Sequence, residues 1–291
     1  MTDNMQTTTA RLLVVCPDQP GIISAVATFL YRHGANITDF DQHSSHRQEG
    51  TFFLRLEFQT GGPEGHRQAL EDGFHEQVAR HYDMQWHISY AEEKKRMAIM
   101  VSRHDHVLMD LLWRVSRQDL PATIAMVISN HEDLRSEVER FGITYHHIPM
   151  SADNKAEAEA RALSLLDGQA DLIVLARYMQ ILSPQFVARH PQRIINIHHS
   201  FLPAFAGADP YQQAHDRGVK LIGATSHYVT AELDQGPIIE QNVQRVSHRH
   251  SAADLRRLGQ DVERQVMQRA VRWHLEDRII VDGNKTVVFI K

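Results

Sequence analysis

The sequence predicts an α/β chain in two parts: a ferredoxin-like β-α-β-β-α-β unit, then a doubly wound, mostly parallel sheet. Three observations predict it. Residues 8–90 carry strand-like and helical runs in the order β-α-β-β-α-β. Residues 91–96, AEEKKR, are charged and core-free and read as a linker. Across 97–291, short apolar runs alternate with helical stretches, the pattern of a sheet covered on both faces.

In the first part, Arg11 to Cys16 reads as a buried strand and PDQPG as the turn after it. Ile22, Val26, Phe29 and Leu30 have helical spacing, and Gly34 suits the C′ position that ends the helix. ANITDFDQ and TFFLRLEF are strand-like, with Gly50 marking the turn between them. A second helix is expected over residues 64–81, and MQWHISY as the closing strand.

In the second part, MAIMVS, TIAMVIS, YHHIPM, DLIVLA and IINIHH read as strands. Helices are expected around residues 108–115, 134–141 and 156–166. DPYQQAHDRG opens with an Asp209 N-cap and Pro210 at N1 and closes on Gly218. The strands VKLIGATSHYV and IIEQNVQRV follow, separated by the loop TAELDQGP. Ser251 and Asp254 read as a capping box for a long helix with a stripe of Leu255, Leu258, Val262, Val266 and Met267. A hairpin turned at Asp282-Gly283 ends the chain.

Composition narrows the function classes. With 42% hydrophobic and 23% charged residues in 291, the chain can build full-sized cores without staples. Its formal charge of -5 and the absence of a long Lys/Arg run argue against nucleic acid as a partner. No apolar run is long enough to span a bilayer, so no membrane partner is expected. Cys16 is the single cysteine, which leaves no disulfide within the chain. Together with a polar start that lacks a signal-peptide core, this makes a cytoplasmic location the expectation.

The chemistry concentrates in NIHHSFLPAF, Asn196 to Phe205. Polar side chains at the end of a buried strand are costly unless paired or used. Strand alternation puts Asn196 and His198 on one face, and leaves His199 to support the following loop. In open α/β sheets, ligands sit at the carboxyl ends of strands, where Asn196, His198 and Asp234 of the LDQG loop can meet. Asn and His donate to a developing oxyanion, while Asp orients the imidazole or moves a proton. No Gly-x-Ser-x-Gly elbow occurs and Cys16 lies in the other part, so covalent catalysis has no candidate. The bland alternative is a structural His198 and a turn-forming Asp234, which spacing alone does not separate from the catalytic one.

The sequence Asn-x-His-x-Ser-x-Leu-Pro, then Gly-x-Thr-x-His-x-Val, then Leu-Asp-x-Gly-Pro-Ile-Ile resembles the signature of the folate-dependent formyltransferase family. The resemblance implies Asn196, His198 and Asp234 as the catalytic trio. LARYMQILS is similar to the segment that walls the pterin pocket, which implies Arg177, Met179, Ile181 and Leu182 as substrate-binding residues, with His227 of the second motif. Plain core packing is the competing reading of that apolar stretch. The N-terminal unit, with CPDQPGIISAVATFLYRHGANI, resembles an ACT domain. That implies an amino-acid effector at Asp18, Gly21 and Ile22, where helix N–H groups are free to meet a carboxylate, and edge-to-edge pairing into a homo-oligomer. A capped turn that binds nothing is the alternative.

The two domains in this order resemble the formyltetrahydrofolate deformylases. The implied reaction is hydrolysis of 10-formyltetrahydrofolate to formate and tetrahydrofolate, supplying formate to one-carbon and purine metabolism with no cofactor beyond the folate substrate. Two alternatives stand beside it: formyl transfer to an amine, as in the glycinamide ribonucleotide branch, and a non-enzymatic folate or amino-acid sensor. In the transferase branch a Gly-rich loop after the first strand cradles the acceptor phosphate. Here that stretch is SRHDHVLMD, residues 102–110, without glycine. Arg103, His104 and His106 either fill the space or form a solvated loop. His104-x-His106 and His248-x-His250 have metal-ligand spacing, but neither has an evident third ligand, so no metal is expected.

Overall fold

A computed structural model describes residues 7–46, 50–61, 65–202 and 210–290. The chain divides into two compact units. One comprises Met1–Lys94 with Glu276–Ile280 and Val287–Lys291; the other comprises Lys95–Leu275 with Val281–Thr286.

The first unit has the expected order: β1 (Thr7–Pro17), α1 (Ile22–Arg32), β2 (Asn36–Ser44), β3 (Thr51–Gly61), α2 (Gly65–Phe74) and β4 (Gln85–Tyr90). The antiparallel sheet runs β2-β3-β1-β4. Alternation along β1 buries Ala10, Leu12, Val14 and Cys16 against α1, whose Ile22, Val26, Phe29 and Leu30 supply the facing stripe. Gly34 ends α1 at φ 71°, a left-handed position that glycine takes without strain. α2 passes into a π-helical turn at His75–Ala79, which keeps Phe74, Val78 and Ala79 all buried.

One expected boundary changes. Residues 276–280 and 287–291 fall in the first unit, although the sequence reading placed the second domain over 97–291. The cause is the second face of the first sheet. There Leu13, Val15 and Phe53 form an apolar surface that Ile280, Val287 and Phe289 cover. Arg55, 1% exposed on the same face, donates from Nε to the Asp277 carbonyl at 3.0 Å and from Nη2 to the Glu276 carbonyl at 3.2 Å. It also pairs with Asp39 at 3.0 Å and Glu57 at 3.3 Å. The C-terminal segment supplies acceptors to a cation that would otherwise be buried without enough of them.

The second unit contains β5 (Lys95–Val101), α3 (His106–Ser116), β6 (Ala122–Ser129), α4 (Arg135–Glu139), β7 (Tyr145–His147), α5 (Lys155–Leu166), β8 (Leu172–Ala176), α6 (Pro184–Arg189), β9 (Ile194–His198), α7 (Pro210–Asp216), β10 (Leu221–Tyr228), β11 (Ile238–Arg245) and α8 (Ala252–Leu275). β5 opens inside the stretch read as a linker. The sheet order is β11-β10-β9-β8-β5-β6-β7. The pairs from β7 to β9 are parallel, while β10 is antiparallel to both neighbours. The chain leaves β5 on one side to β6 and returns on the other to β8, which makes the β5/β8 boundary the topological switch point.

The capping box of α8 is present: Asp254 N–H donates to Ser251 Oγ at 3.2 Å, and Ser251 N–H donates back to Asp254 Oδ2 at 3.0 Å. α6 is an element the sequence reading passed over; its signal was Ser183-Pro184, with Ser183 Oγ accepting from Phe186 N–H at 3.2 Å. The Asp209 N-cap lies outside the described residues. The last strands, β12 (Ile279–Asp282) and β13 (Lys285–Val288), form the expected hairpin, with Gly283 at φ 58° in its turn. Among the described residues no helix is long and apolar enough to cross a membrane.

Candidate active site

The site is built on one row of the second sheet. Leu175 of β8 is level with Asn196 of β9, and Asn196 is directly opposite His227 of β10. One step along, His198 faces Thr225. The two-residue repeat therefore sends Asn196, His198, Thr225 and His227 to a single face. Thr225 organises the loop after β9: its Oγ1 donates to the Ser200 carbonyl at 3.0 Å and accepts from Leu202 N–H at 3.1 Å.

The loop carrying Asp234 does not arrive as the carboxyl-end rule suggested. β10 runs antiparallel to β9, so the loop starts level with Ile194, where Val229 N–H donates to the Ile194 carbonyl at 2.9 Å. It then folds back over the sheet face. Gly236 makes the return possible, because a Cβ there would lie 1.7 Å from the Tyr228 carbonyl oxygen. Asp234 itself takes the left-handed conformation, φ 54°. This places its Oδ2 3.3 Å from His198 Nδ1 and its Oδ1 3.5 Å from His227 Nε2. Hydrogen bonds from His198 first and His227 second hold the Asp234 carboxyl well below the usual carboxylate range, against the opposing effect of burial.

His227 is 2% exposed and tightly held: its Nδ1 lies 2.9 Å from the Tyr228 carbonyl, and its Nε2 lies 3.2 Å from Asn196 Nδ2. Nδ1 donates to the carbonyl, and Nε2 is shared between the Asn196 amide and Asp234 Oδ1. His199, just past the end of β9, has its ring stacked on that of His198 at 5.3 Å and lies 6.3 Å from the Tyr211 ring of α7. Burial, then the nearby Arg177 cation, pushes the His199 imidazole down to about 4, so it is neutral at pH 7.

A narrow pocket opens beside this row. Leu175, Ile181, Leu182, Asn196, His227 and the 229–234 loop line it. A second cavity of about 500 Å³ adjoins Asp234 on the side of Leu202, Gln235 and Ile238, with Lys285 in its wall. Met179 is 58% exposed and lines neither cavity. Arg177 also takes a different place from the expected pocket wall. It is buried, and its Nη1 lies 3.1 Å from Glu263 Oε2. Arg177 and Met179, both at positive φ (61° and 55°), bracket the buried Tyr178.

Glu263 of α8 was read as part of a helix with an apolar stripe, and its importance was missed. It is fully buried and also meets His106 Nε2 at 2.8 Å and Tyr211 Oη at 2.8 Å. Burial alone would raise its pKa; the hydrogen bond from His106 and the Arg177 charge outweigh that and bring it to about 2. Gly259, one helical turn earlier, gives Tyr211 room, since a Cβ there would lie 2.1 Å from the Tyr211 oxygen. The signal available in the sequence was a glutamate between Val262 and Val266 on a buried face. His106 of the His104-x-His106 pair is thereby committed to Glu263, and His250 Nδ1 accepts from Ser247 N–H at 3.0 Å. Among the described residues no group of three or more His, Cys, Asp or Glu side chains is arranged to hold a metal ion.

In the first unit, Asp18 N–H donates to the Gly50 carbonyl at 2.8 Å. Gly21 is the N-cap of α1 at φ 97°, and Ile22 is buried in the core.

Comparison with known proteins accords with both units. Residues 95–271 match the formyl transferase family and residues 10–72 the ACT domain. A formyltetrahydrofolate deformylase of Bacillus subtilis is 55% identical over 96% of this chain and 93% of its own length. One from Mycobacterium tuberculosis H37Rv is 54% identical over 96% and 90%. The crystal structure of a formyltetrahydrofolate deformylase from Pseudomonas syringae superposes with a TM-score of 0.92 at 48% identity, covering 99% of this chain and 96% of that one. A glycinamide ribonucleotide transformylase from Symbiobacterium toebii superposes over only 68% of this chain, with a TM-score of 0.63 at 30% identity. The chain, an ACT domain followed by a formyl transferase domain, belongs to the formyltetrahydrofolate deformylases.

Proposed function

We infer that this protein hydrolyses 10-formyltetrahydrofolate to formate and tetrahydrofolate, in the manner its relatives' name describes. The observation that carries the reading is one ionised carboxylate, Asp234, between two imidazoles and beside a carboxamide, at the mouth of a narrow pocket. Asn196 donates to the formyl oxygen as it gains charge. Asp234 is a weak base, so it acts through His198: the imidazole takes the proton of the attacking water, and the carboxylate stabilises the imidazolium. The water oxygen bonds to the formyl carbon, the carbon–N10 bond breaks, and N10 leaves with the proton that the His198 imidazolium gives up. Ile181 and Leu182 wall the pterin ring, and His227 orients Asn196 and Asp234.

The glycine-free stretch 102–110 supports water as the acceptor, since its His106 is spent on Glu263 and not on an acceptor phosphate. Hydrolysis calls for no cofactor beyond the folate. The ACT unit binds an amino-acid effector at the Asp18–Ile22 turn and pairs with other copies into a homo-oligomer in the cytoplasm. The test is incubation with 10-formyltetrahydrofolate alone. Formate release without any amine is expected; release only on adding an amine acceptor, or binding without release, overturns the reading.

A further inference from the structure

Strand alternation sends consecutive side chains to opposite faces, which would separate His199 from His198. The structure does otherwise. β9 ends at His198, and the chain bends at His199 and Ser200. The bend is fastened from β10 and β11. Thr225 Oγ1 donates to the Ser200 carbonyl at 3.0 Å, while Gln241 Nε2 donates to the Leu202 carbonyl at 3.1 Å and to Thr225 Oγ1 at 2.9 Å. Past this bend the two imidazoles lie nearly parallel, with an interplanar angle of 19° and centroids 5.3 Å apart.

His199 has a fixed neighbour of its own. The buried Tyr211 ring lies 6.3 Å away, and its hydroxyl donates to Glu263 Oε1 at 2.8 Å. Glu263 is in turn pinned by His106 and Arg177. His198 needs such a neighbour. The outer torsion of a histidine is broad and two-fold, so an unpacked ring turns about it at little cost. The Asp234 carboxylate, 3.3 Å from His198 and shared with His227 at 3.5 Å, does not by itself fix the ring. A turned ring would lose the Nδ1–H tautomer that leaves Nε2 free to accept a proton.

We propose that His199 is a positioning residue for the reaction: its ring packs one face of His198 and holds that imidazole with Nδ1 on Asp234 and Nε2 free for the proton of water. The proposal rests on the hydrolytic reading above, in which His198 takes that proton. An uncharged ring suits the role twice. It bars other orientations by packing, and its face attracts the imidazolium that forms beside it, where a protonated neighbour would repel it. His199 is neutral at pH 7, as the role requires. A phenyl ring offers the same face without the nitrogens, so it should serve in place of the imidazole.

The test compares His199→Ala and His199→Phe with the parent, as full-length proteins. The His198 tautomer is read from long-range proton–nitrogen NMR spectra of substrate-free protein with isotope-labelled histidine, at alkaline pH, its signals assigned by their loss in His198→Gln. The parent and H199F should show the Nδ1–H form alone, and H199A both tautomers in exchange. Turnover in H199A should fall about ten- to a hundredfold with KM within about twofold, the signature of a misplaced reacting group, and H199F should recover most of it. A single Nδ1–H tautomer in H199A overturns the proposal, whatever its turnover or thermal midpoint. So does H199F behaving as H199A, which would assign the role to the His199 nitrogens. If the parent releases no formate, the hydrolytic reading fails, while the tautomer comparison still decides what His199 does to His198.

Discussion

Asp234 Oδ2 lies 3.3 Å from His198 Nδ1, although His198 is the last residue of β9 and Asp234 lies on the loop that leaves β10 at the other end of that strand pair. The contact exists because the 229–237 loop doubles back over the sheet face, and it joins two of the three residues proposed as catalytic.

Replacing Asp234 by Asn keeps the shape and removes the charge. Turnover should fall by about 10² to 10⁴-fold, the usual range for losing a proton-transfer group, with tetrahydrofolate affinity within a few-fold of the parent. Steady-state formate assays together with equilibrium folate binding check this. Near-normal turnover would remove Asp234 from the mechanism.

Gly236→Ala places a methyl group 1.7 Å from the Tyr228 carbonyl oxygen, which the backbone cannot accommodate in place. The loop must move, and Asp234 with it. Formate release should collapse while the circular dichroism spectrum is preserved, at a cost of roughly 1–3 kcal/mol in unfolding free energy. A fully active variant would show that the loop has slack the structure denies.

Glu263→Gln leaves Arg177 and His106 without their carboxylate. Loss of roughly 3 kcal/mol at neutral pH is expected. The sign follows from the lowered pKa: the contribution is complete above the ordinary glutamate range, near 4.5, and is lost as pH falls towards about 2. Urea melts across that interval should converge for parent and variant at the acid end. Curves that stay parallel would mean the charge contributes nothing.

Arg55→Ala removes a buried cation that supports two carbonyls of the C-terminal segment. The segment 276–290 should become the first site of limited proteolysis, and stability should drop by roughly 3–5 kcal/mol. Unchanged cleavage kinetics would assign the anchoring to Ile280 and Phe289 alone.

Much of this architecture was legible in the sequence, because short-range signals carry it. The α1 stripe of Ile22, Val26, Phe29 and Leu30, the Ser251–Asp254 box and the alternating β9 each depend on neighbours within a few residues. Asn196, His198 and Asp234 were marked by the same kind of reading, since polar groups beside buried strands stand out from their surroundings.

The sequence by itself therefore determined the two α/β units and marked the side chains proposed to carry the chemistry. Three things were settled only when the chain folded: the Asp234 loop's return across the sheet, the pairing of Arg177 with Glu263 instead of with a ligand, and the docking of residues 276–280 and 287–290 onto the first sheet. Each joins residues far apart in the chain, and each is decided by the cost of leaving a charge or an apolar face without a partner. That cost belongs to the assembled interior and leaves no periodic trace in the order of the residues.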